Sequence, residues 1–300
     1  MRARYAIPAL TAAAALMLTG CVDNTAPEAS KGSAASSEPA SVAKNDSLAA
    51  MLPQKMKTAG VLNVGMANNY APNEFKDAQG KPAGWSVDLT NALGQVLGLK
   101  VNFDIGTFDN ILPAIKAGKD DMGMSSFTDT VEREKQTDFI NYYSAGIQWA
   151  SAKGKTVDPK NACGMKVAVQ ATTYQDTDEV PAKSKACTDA GKPAINIFKY
   201  DAQDQATNAL AVGQVDAMSA DSPVTLYAIS QTKDKLQAAG DAFEVAPYGI
   251  PVAKDSEFKP VLQKALQALI DDGTYTKILT KWGVQSGGVK SAALNVAAKG

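Results

Sequence analysis

Apolar positions along this chain follow two periods. Residues 61–66 (VLNVGM) read as a strand by composition, and the Asn- and Pro-containing stretch at 67–72 reads as the loop after it. A turn at 80–84 (GKPAG) leads into a segment opened by Trp85. There Leu89, Ala92, Leu93, Val96 and Leu97 recur at helical spacing and Gly98 supplies the stop. Residues 101–105 predict a second strand. Asp109 is placed to cap a helix carrying Ile111, Leu112 and Ile115 and ended by Gly118, with Phe108 on the loop before it. Met122 and Met124 mark a short buried strand. Strand–helix alternation with short connections predicts an α/β fold whose strand C-terminal ends border a site.

The second half repeats this grammar. Residues 147–150 (IQWA) are an extended apolar crossing, and Gly154, Asp158 and Pro159 then break the chain. Strands follow at 165–169 and 215–220, the latter leading into a helix built on Val224, Leu226, Tyr227 and Ile229. Residues 245–252 (VAPYGIPV) are a second crossing, so two strands predict a hinge between two lobes. A helix over 256–272 (Phe258, Val261, Leu262, Ala265, Leu266, Leu269) stops at Gly273, and a last one runs from 275 to 282. The expected layout is lobe 1 at 48–148 and 249–285, and lobe 2 at 149–248. The stretch from 286 to 300, poor in large apolar side chains, is expected to be loose. A weak echo, AIKAGKDD at 114–121 against ALAVGQVD at 209–216, fits two similar lobes, though matches this short also arise by chance.

Composition narrows the classes. A chain of 300 residues, 45% hydrophobic, is ample for more than one core. The formal net charge of −1 suggests neither nucleic-acid binding nor polybasic membrane attachment. Histidine is absent, which removes His-based acid–base catalysis and the commonest transition-metal ligand. Cys21, Cys163 and Cys187 are too scattered for a zinc cluster. No cofactor is implied.

The N-terminus carries an address. Arg2 and Arg4 form a basic region, and residues 5–18 are Ala/Leu-rich but short for a bilayer span. They end in Leu18-Thr19-Gly20-Cys21, which resembles the lipobox of bacterial lipoproteins. That resemblance implies removal of 1–20, lipidation of Cys21 and an extracytoplasmic protein anchored to the cell membrane. The alternative is an ordinary secretory signal with a chance Cys. Cleavage leaves 28 basic against 31 acidic side chains. Residues 21–47, rich in Ala, Ser, Pro, Glu, Lys and Gly, cannot bury a core and read as a flexible tether. Cys163 and Cys187 remain as an even pair in an exported chain, so a disulfide is expected; a closed loop of about 24 residues stabilises by about 3 kcal/mol. Two free buried thiols are the alternative.

The candidate chemistry centres on 121–139, DMGMSSFTDTVEREKQTDF. A hydroxyl run (Ser125, Ser126, Thr128, Thr130) meets a helix start with Arg133 in its first turn. A planar guanidinium fork, with backbone N–H groups at a helix N-terminus, suits a small carboxylate. Alone, Arg133 reads more readily as a solvated helix residue. Asp221, before Ser222-Pro223, reads locally as a helix N-cap with Pro at N1.

The runs GWSVDLTNALGQVLG and FDNILPAIKAGKDDMGMSSFTDTVEREKQTDF, with the Gln170-Ala171-Thr172-Thr173 segment and the final D-G-T…K-W-G, resemble the family 3 solute-binding proteins of amino-acid ABC importers over about residues 55–285. The resemblance implies a two-lobed periplasmic-binding-protein-like type II fold, with a two-strand hinge and a ligand cleft between lobes. It implies that Arg133 holds a ligand α-carboxylate, with Ser125, Ser126 and Thr128 beside it and Thr173 opposite. Asp221 receives the α-ammonium, and Tyr70 and Phe108 pack on the ligand side chain. Trp85 and Met66, Met122, Met124 and Met218 are expected in the core.

This sequence departs from the pattern at four places. Ala67 stands where cationic-amino-acid binders often carry an acid, and Asp129 where an apolar residue is usual. Ala171 replaces a Gly, and Tyr174 takes a position that is often Gln. The implied function is a monomeric, lipid-anchored protein, not an enzyme, that captures a free, polar or cationic amino acid and passes it to an ABC transporter permease. The alternatives are a secreted enzyme of the same fold acting on prephenate-like acids, a ligand-sensing lipoprotein, and an adhesive lipoprotein.

Overall fold

The computed structural model describes residues 42–297. The leader, Cys21 and most of the expected tether lie outside the described residues. Two short helices, α1 (Asp46–Ala50) and α2 (Gln54–Ala59), precede β1 (Val61–Met66). A small meander follows, made of β2 (Asn69–Tyr70), β3 (Glu74–Lys76) and β4 (Pro82–Ala83). Next come α3 (Trp85–Leu97), β5 (Lys100–Ile105), α4 (Phe108–Lys116), β6 (Met122–Gly123), β7 (Phe127–Thr128) and α5 (Val131–Glu134). The long β8 (Thr137–Ala152) leads to β9 (Lys166–Gln170), α6 (Val180–Asp189), β10 (Asn196–Tyr200), α7 (Gln203–Ala211), β11 (Ala217–Asp221) and α8 (Ser222–Gln231). A second long strand, β12 (Leu236–Ala253), returns to α9 (Lys259–Asp271), α10 (Thr274–Lys281) and β13 (Gly288–Leu294). No helix among the described residues is long and apolar enough to cross a membrane.

Two sheets carry the two lobes. In the first, β5, β1 and β6 are parallel. In the second, β9 lies between β10 and β11, parallel to both, and β11 joins β8 antiparallel. The strands β8 and β12 pair antiparallel from Thr137–Ala253 at one end to Ala152–Leu236 at the other, and this shared ribbon is the hinge. Its register shifts between Ala239 and Ala246, next to Gly240 with its positive φ (72°), so the pairing is irregular midway between the lobes.

Side-chain alternation sets the cores. Trp85, Leu89, Leu93, Ile140, Tyr142, Leu262 and Leu266 are fully buried in lobe 1, and α3 and α9 supply the helical stripes read from the sequence. In lobe 2 the period is two: Trp149, Val167, Val169 and Ala217 face one core, and Ala150, Ala168 and Met218 the other. The four methionines expected to be packing residues are all buried. Cys163 and Cys187 are bonded, with Cα atoms 5.5 Å apart, and tie the loop before β9 to the end of α6.

Both ends of the described chain are more ordered than the sequence suggested. Val42 N–H donates to Gln95 Oε1 (2.7 Å), Asn45 N–H donates to the Val96 carbonyl (2.8 Å), and the Asn45 side chain caps α1. The chain is therefore folded before residue 48. The expected loose tail instead forms β13 on the outer edge of β8. Gln267 Oε1 accepts from Ala292 N–H (3.0 Å), and Gln263 Nε2 donates to the Ala292 carbonyl (2.8 Å). Asn295 Oδ1 accepts from Phe139 N–H (2.7 Å), and Asp129 Oδ2 accepts from Val296 N–H (2.9 Å). This strand is held through backbone groups, so its small side chains gave no apolar signal.

Two outcomes follow for stability. Replacing both Cys163 and Cys187 with serine opens a 24-residue separation and is expected to cost about 3 kcal/mol, seen as a lower urea midpoint; an unchanged midpoint contradicts this. Asp129→Ala leaves Val296 N–H and the Asn141 amide without their acceptor, at a cost of about 1–3 kcal/mol. Hydrogen exchange should quicken across 288–296, and unchanged protection there contradicts the assignment.

Candidate ligand-binding cleft

The loops after β1, β6, β9 and β11 converge where the two lobes face each other, at the C-terminal ends of parallel strands. They enclose a narrow, nearly closed cleft, and all eight residues expected to contact a ligand line it. Tyr70, Phe108, Ser125, Ser126, Thr128 and Arg133 come from lobe 1; Thr173 and Asp221 come from lobe 2.

Arg133 is positioned by its own backbone and by aromatic rings. Thr130 is the N-cap of α5, and its hydroxyl oxygen accepts from Arg133 N–H (3.2 Å). The helix is a single turn, so its dipole adds little and the guanidinium must carry an anion site. That group lies 5.8 Å from the Phe108 ring centre and 5.5 Å from that of Phe127. It donates to the Thr128 carbonyl (2.7 Å) and, across the cleft, to the Thr172 carbonyl (3.0 Å). Burial pulls its pKa down to about 10, against the pull of Asp178 and Asp221, so it stays cationic at neutral pH.

Asp221 is the opposing charge. It occupies the N-cap position of α8, yet its side chain makes no cap hydrogen bond. Its carboxylate instead accepts from Tyr248 Oη (2.6 Å), Gln175 Nε2 (2.7 Å) and Tyr70 Oη (3.0 Å). Burial pushes this carboxyl up from the ordinary range, and the three donors, with Arg133, pull it back. The cap reading fails because the side chain turns into the cleft, where three donors compete for it.

The hydroxyls are already engaged. Ser125 Oγ accepts from Ala67 N–H (3.1 Å), and Thr173 Oγ1 donates to the Gln170 carbonyl (2.7 Å). Ser126 Oγ accepts from Asn73 Nδ2 (2.9 Å) and lies within hydrogen-bond distance of Glu74 Oε2 (3.2 Å). Ser126 (φ 53°) and Thr172 (φ 63°) are both left-handed, one on each wall. For Thr, β-branched, this conformation is strained by about 1–3 kcal/mol, and it turns the Thr172 carbonyl towards Arg133.

Several lining or supporting residues escaped the sequence reading. Asn69 Oδ1 accepts from Gln170 Nε2 across the cleft (3.3 Å), while Gln175 and Tyr248 hold Asp221. Polar residues next to recognised motif positions were the available signal for Asn69 and Gln175; Tyr248 and Glu74 carried none. Ala67 and Tyr174 line the cleft. Asp129 does not: it is buried on the far side of β7, bonded to Asn141 (2.9 Å) and Val296. Its departure from the expected apolar residue serves the C-terminal strand rather than ligand selection.

Comparison with known proteins agrees with this geometry. Residues 62–285 match the bacterial extracellular solute-binding proteins, family 3. The arginine-binding protein ArgT of Corynebacterium glutamicum is 40% identical over 248 residues, 82% of either chain. An ancestral arginine-binding protein bound to arginine has a TM-score of 0.69 at 36% identity, covering 74% of this chain and 98% of that one. One bound to glutamine has a TM-score of 0.68 at 35% identity, covering 75% and 98%. The two-lobed fold, the paired opposite charges in its cleft and these matches make the chain a member of the family 3 bacterial extracellular solute-binding proteins.

Proposed function

We propose that this protein captures free arginine, or an amino acid with a similarly planar polar side chain, and delivers it to an ABC transporter permease from a lipid anchor on Cys21 at the outer face of the cell membrane. The observation that carries the reading is the placement of Arg133 and Asp221. They come from opposite lobes, line one cleft, and match the two charges of an amino-acid backbone. The ligand docks in lobe 1 with its carboxylate on Arg133 and Thr128 and its ammonium beside Ser126, and the ammonium then draws in Asp221. Thr173 meets the carboxylate from lobe 2. Closure is favoured because the closed form alone satisfies both charges. The permease reads that closed form.

The side chain of the ligand runs between Tyr70 and Phe108. With Ala67 at the cleft, no acid there answers a cationic end group, and the carboxamides of Asn69, Gln170 and Gln175 are the polar groups on offer. A guanidinium or an amide suits such partners, in keeping with the arginine- and glutamine-bound neighbours. The protein acts as a monomer and catalyses nothing. Asp221, the carboxylate of the cleft, is occupied by three donors, which argues against the alternative of an enzyme needing a free acid or base.

A thermal-shift screen across the twenty amino acids, citrulline and ornithine should raise the melting temperature with arginine foremost; no shift with any of them overturns the reading. Arg133→Ala should weaken arginine binding by about 100-fold or more, the loss of charge-assisted hydrogen bonds worth about 3 kcal/mol, with the melting temperature of the free protein little changed. Unaltered affinity by calorimetry removes Arg133 from the site.

A further inference from the structure

Behind the lobe 1 wall of the cleft lies a second carboxyl group that the binding reading does not use. Glu74, on β3, is fully buried. Its Oε2 meets the Ser126 hydroxyl (3.2 Å), while Oε1 has no well-aligned donor, although the Ser86 hydroxyl lies near enough to favour the charged form. No ion pair among the described residues involves Glu74. The groups facing it are Ser86 on α3, Tyr142 on β8, Tyr70 on β2, and Asp221 at the end of β11. None of these is a cation.

We propose that Glu74 is a positioning residue of the amino-acid site, protonated in the free protein, which sets the polarity of the Ser126 hydroxyl and releases its proton as a ligand ammonium enters the cleft. The inference rests on the reading of the cleft as an amino-acid site. Ser126 is the link. Its backbone is fixed in the left-handed region, and its Oγ is held from one side by Asn73, itself locked by Trp85 Nε1 donating to Asn73 Oδ1 (2.7 Å). Only the Glu74 side of that hydroxyl is free to change.

With Glu74 protonated, its O–H donates to Ser126 Oγ, and the serine proton points into the cleft. With Glu74 ionised, the carboxylate takes the serine O–H, and Ser126 offers the cleft a lone pair. An ammonium needs the second arrangement. Burial lifts Glu74 to about 8, with the charge of Asp221 adding to the rise against Ser86 and Ser126. A ligand cation beside Asp221 cancels that repulsion and adds an attraction, so the bound-state value falls. The reaction is Glu74–COOH to Glu74–COO⁻, with the proton leaving to buffer. Affinity should therefore rise with pH through neutrality and level off above about 8.

The test is calorimetry of the full-length protein with L-arginine and with L-glutamine at pH 7, in buffers of different ionisation enthalpy. The apparent enthalpy should vary linearly with that of the buffer, with a slope approaching one proton released, and Glu74→Gln should abolish the slope and flatten the pH profile. Binding with no buffer dependence in the wild type, or a slope that survives in a folded Glu74→Gln protein, overturns the proposal. If Glu74→Gln does not fold, carboxyl-carbon NMR of glutamate-labelled wild type decides. A resonance titrating near 8 should move to lower pH with arginine, and its failure to move overturns the proposal. Absence of binding by either amino acid instead sinks the ligand reading of the cleft, which binding without proton exchange leaves standing.

Discussion

The structure turns on one buried anion. Asp221 sits between the lobes with three donors from three different segments: Tyr70 from β2, Gln175 from the helical turn before α6, and Tyr248 from a hinge strand. A carboxylate withdrawn from water is costly unless hydrogen-bonded and answered by a cation. The donors meet the first need. The cation across the cleft, Arg133, is held back by its own bonds to the Thr128 and Thr172 carbonyls. A zwitterion placed between them would answer both charges at once, which is the physical basis of the closure proposed for this cleft.

The hinge gives this anion its reach. The β8–β12 ribbon passes continuously through both lobes, so a change in its pitch would move one wall of the cleft against the other without breaking either core. Tyr248 lies on that ribbon and touches Asp221 directly, which ties the state of the site to the state of the hinge. Direct bonds between walls, from Tyr70 to Asp221, from Gln170 to Asn69 and from Arg133 to Thr172, hold the present arrangement.

Much of this was legible in the sequence because it is written in periodic apolar positions. The stripes of α3 and α9, the strands β9 and β11 and the two hinge crossings follow from apolar spacing and composition. The cleft residues were legible through motif order: Arg133 after a hydroxyl run, and Asp221 at a strand end. What stayed hidden depends on direction or on backbone. Asp221 as cap or as ligand contact differs only in where its side chain turns. Asp129 stood out only as a departure from the family pattern, and in the fold its carboxylate accepts from Val296 N–H in the C-terminal segment. The tail strand is held by backbone groups and the side chains of Gln263, Gln267 and Asp129, which no hydrophobic pattern records. Glu74, in a sequence, is one acid among many.

The central claim is that both charges of the amino-acid backbone are needed to close the cleft. Calorimetry of L-arginine beside agmatine, which keeps the guanidinium but lacks the carboxylate, and beside the deaminated acid, which lacks the ammonium, tests it without altering the protein. Both analogues should bind at least about 100-fold more weakly, a loss of about 3 kcal/mol each. Agmatine or the deaminated acid binding as tightly as arginine would contradict the account.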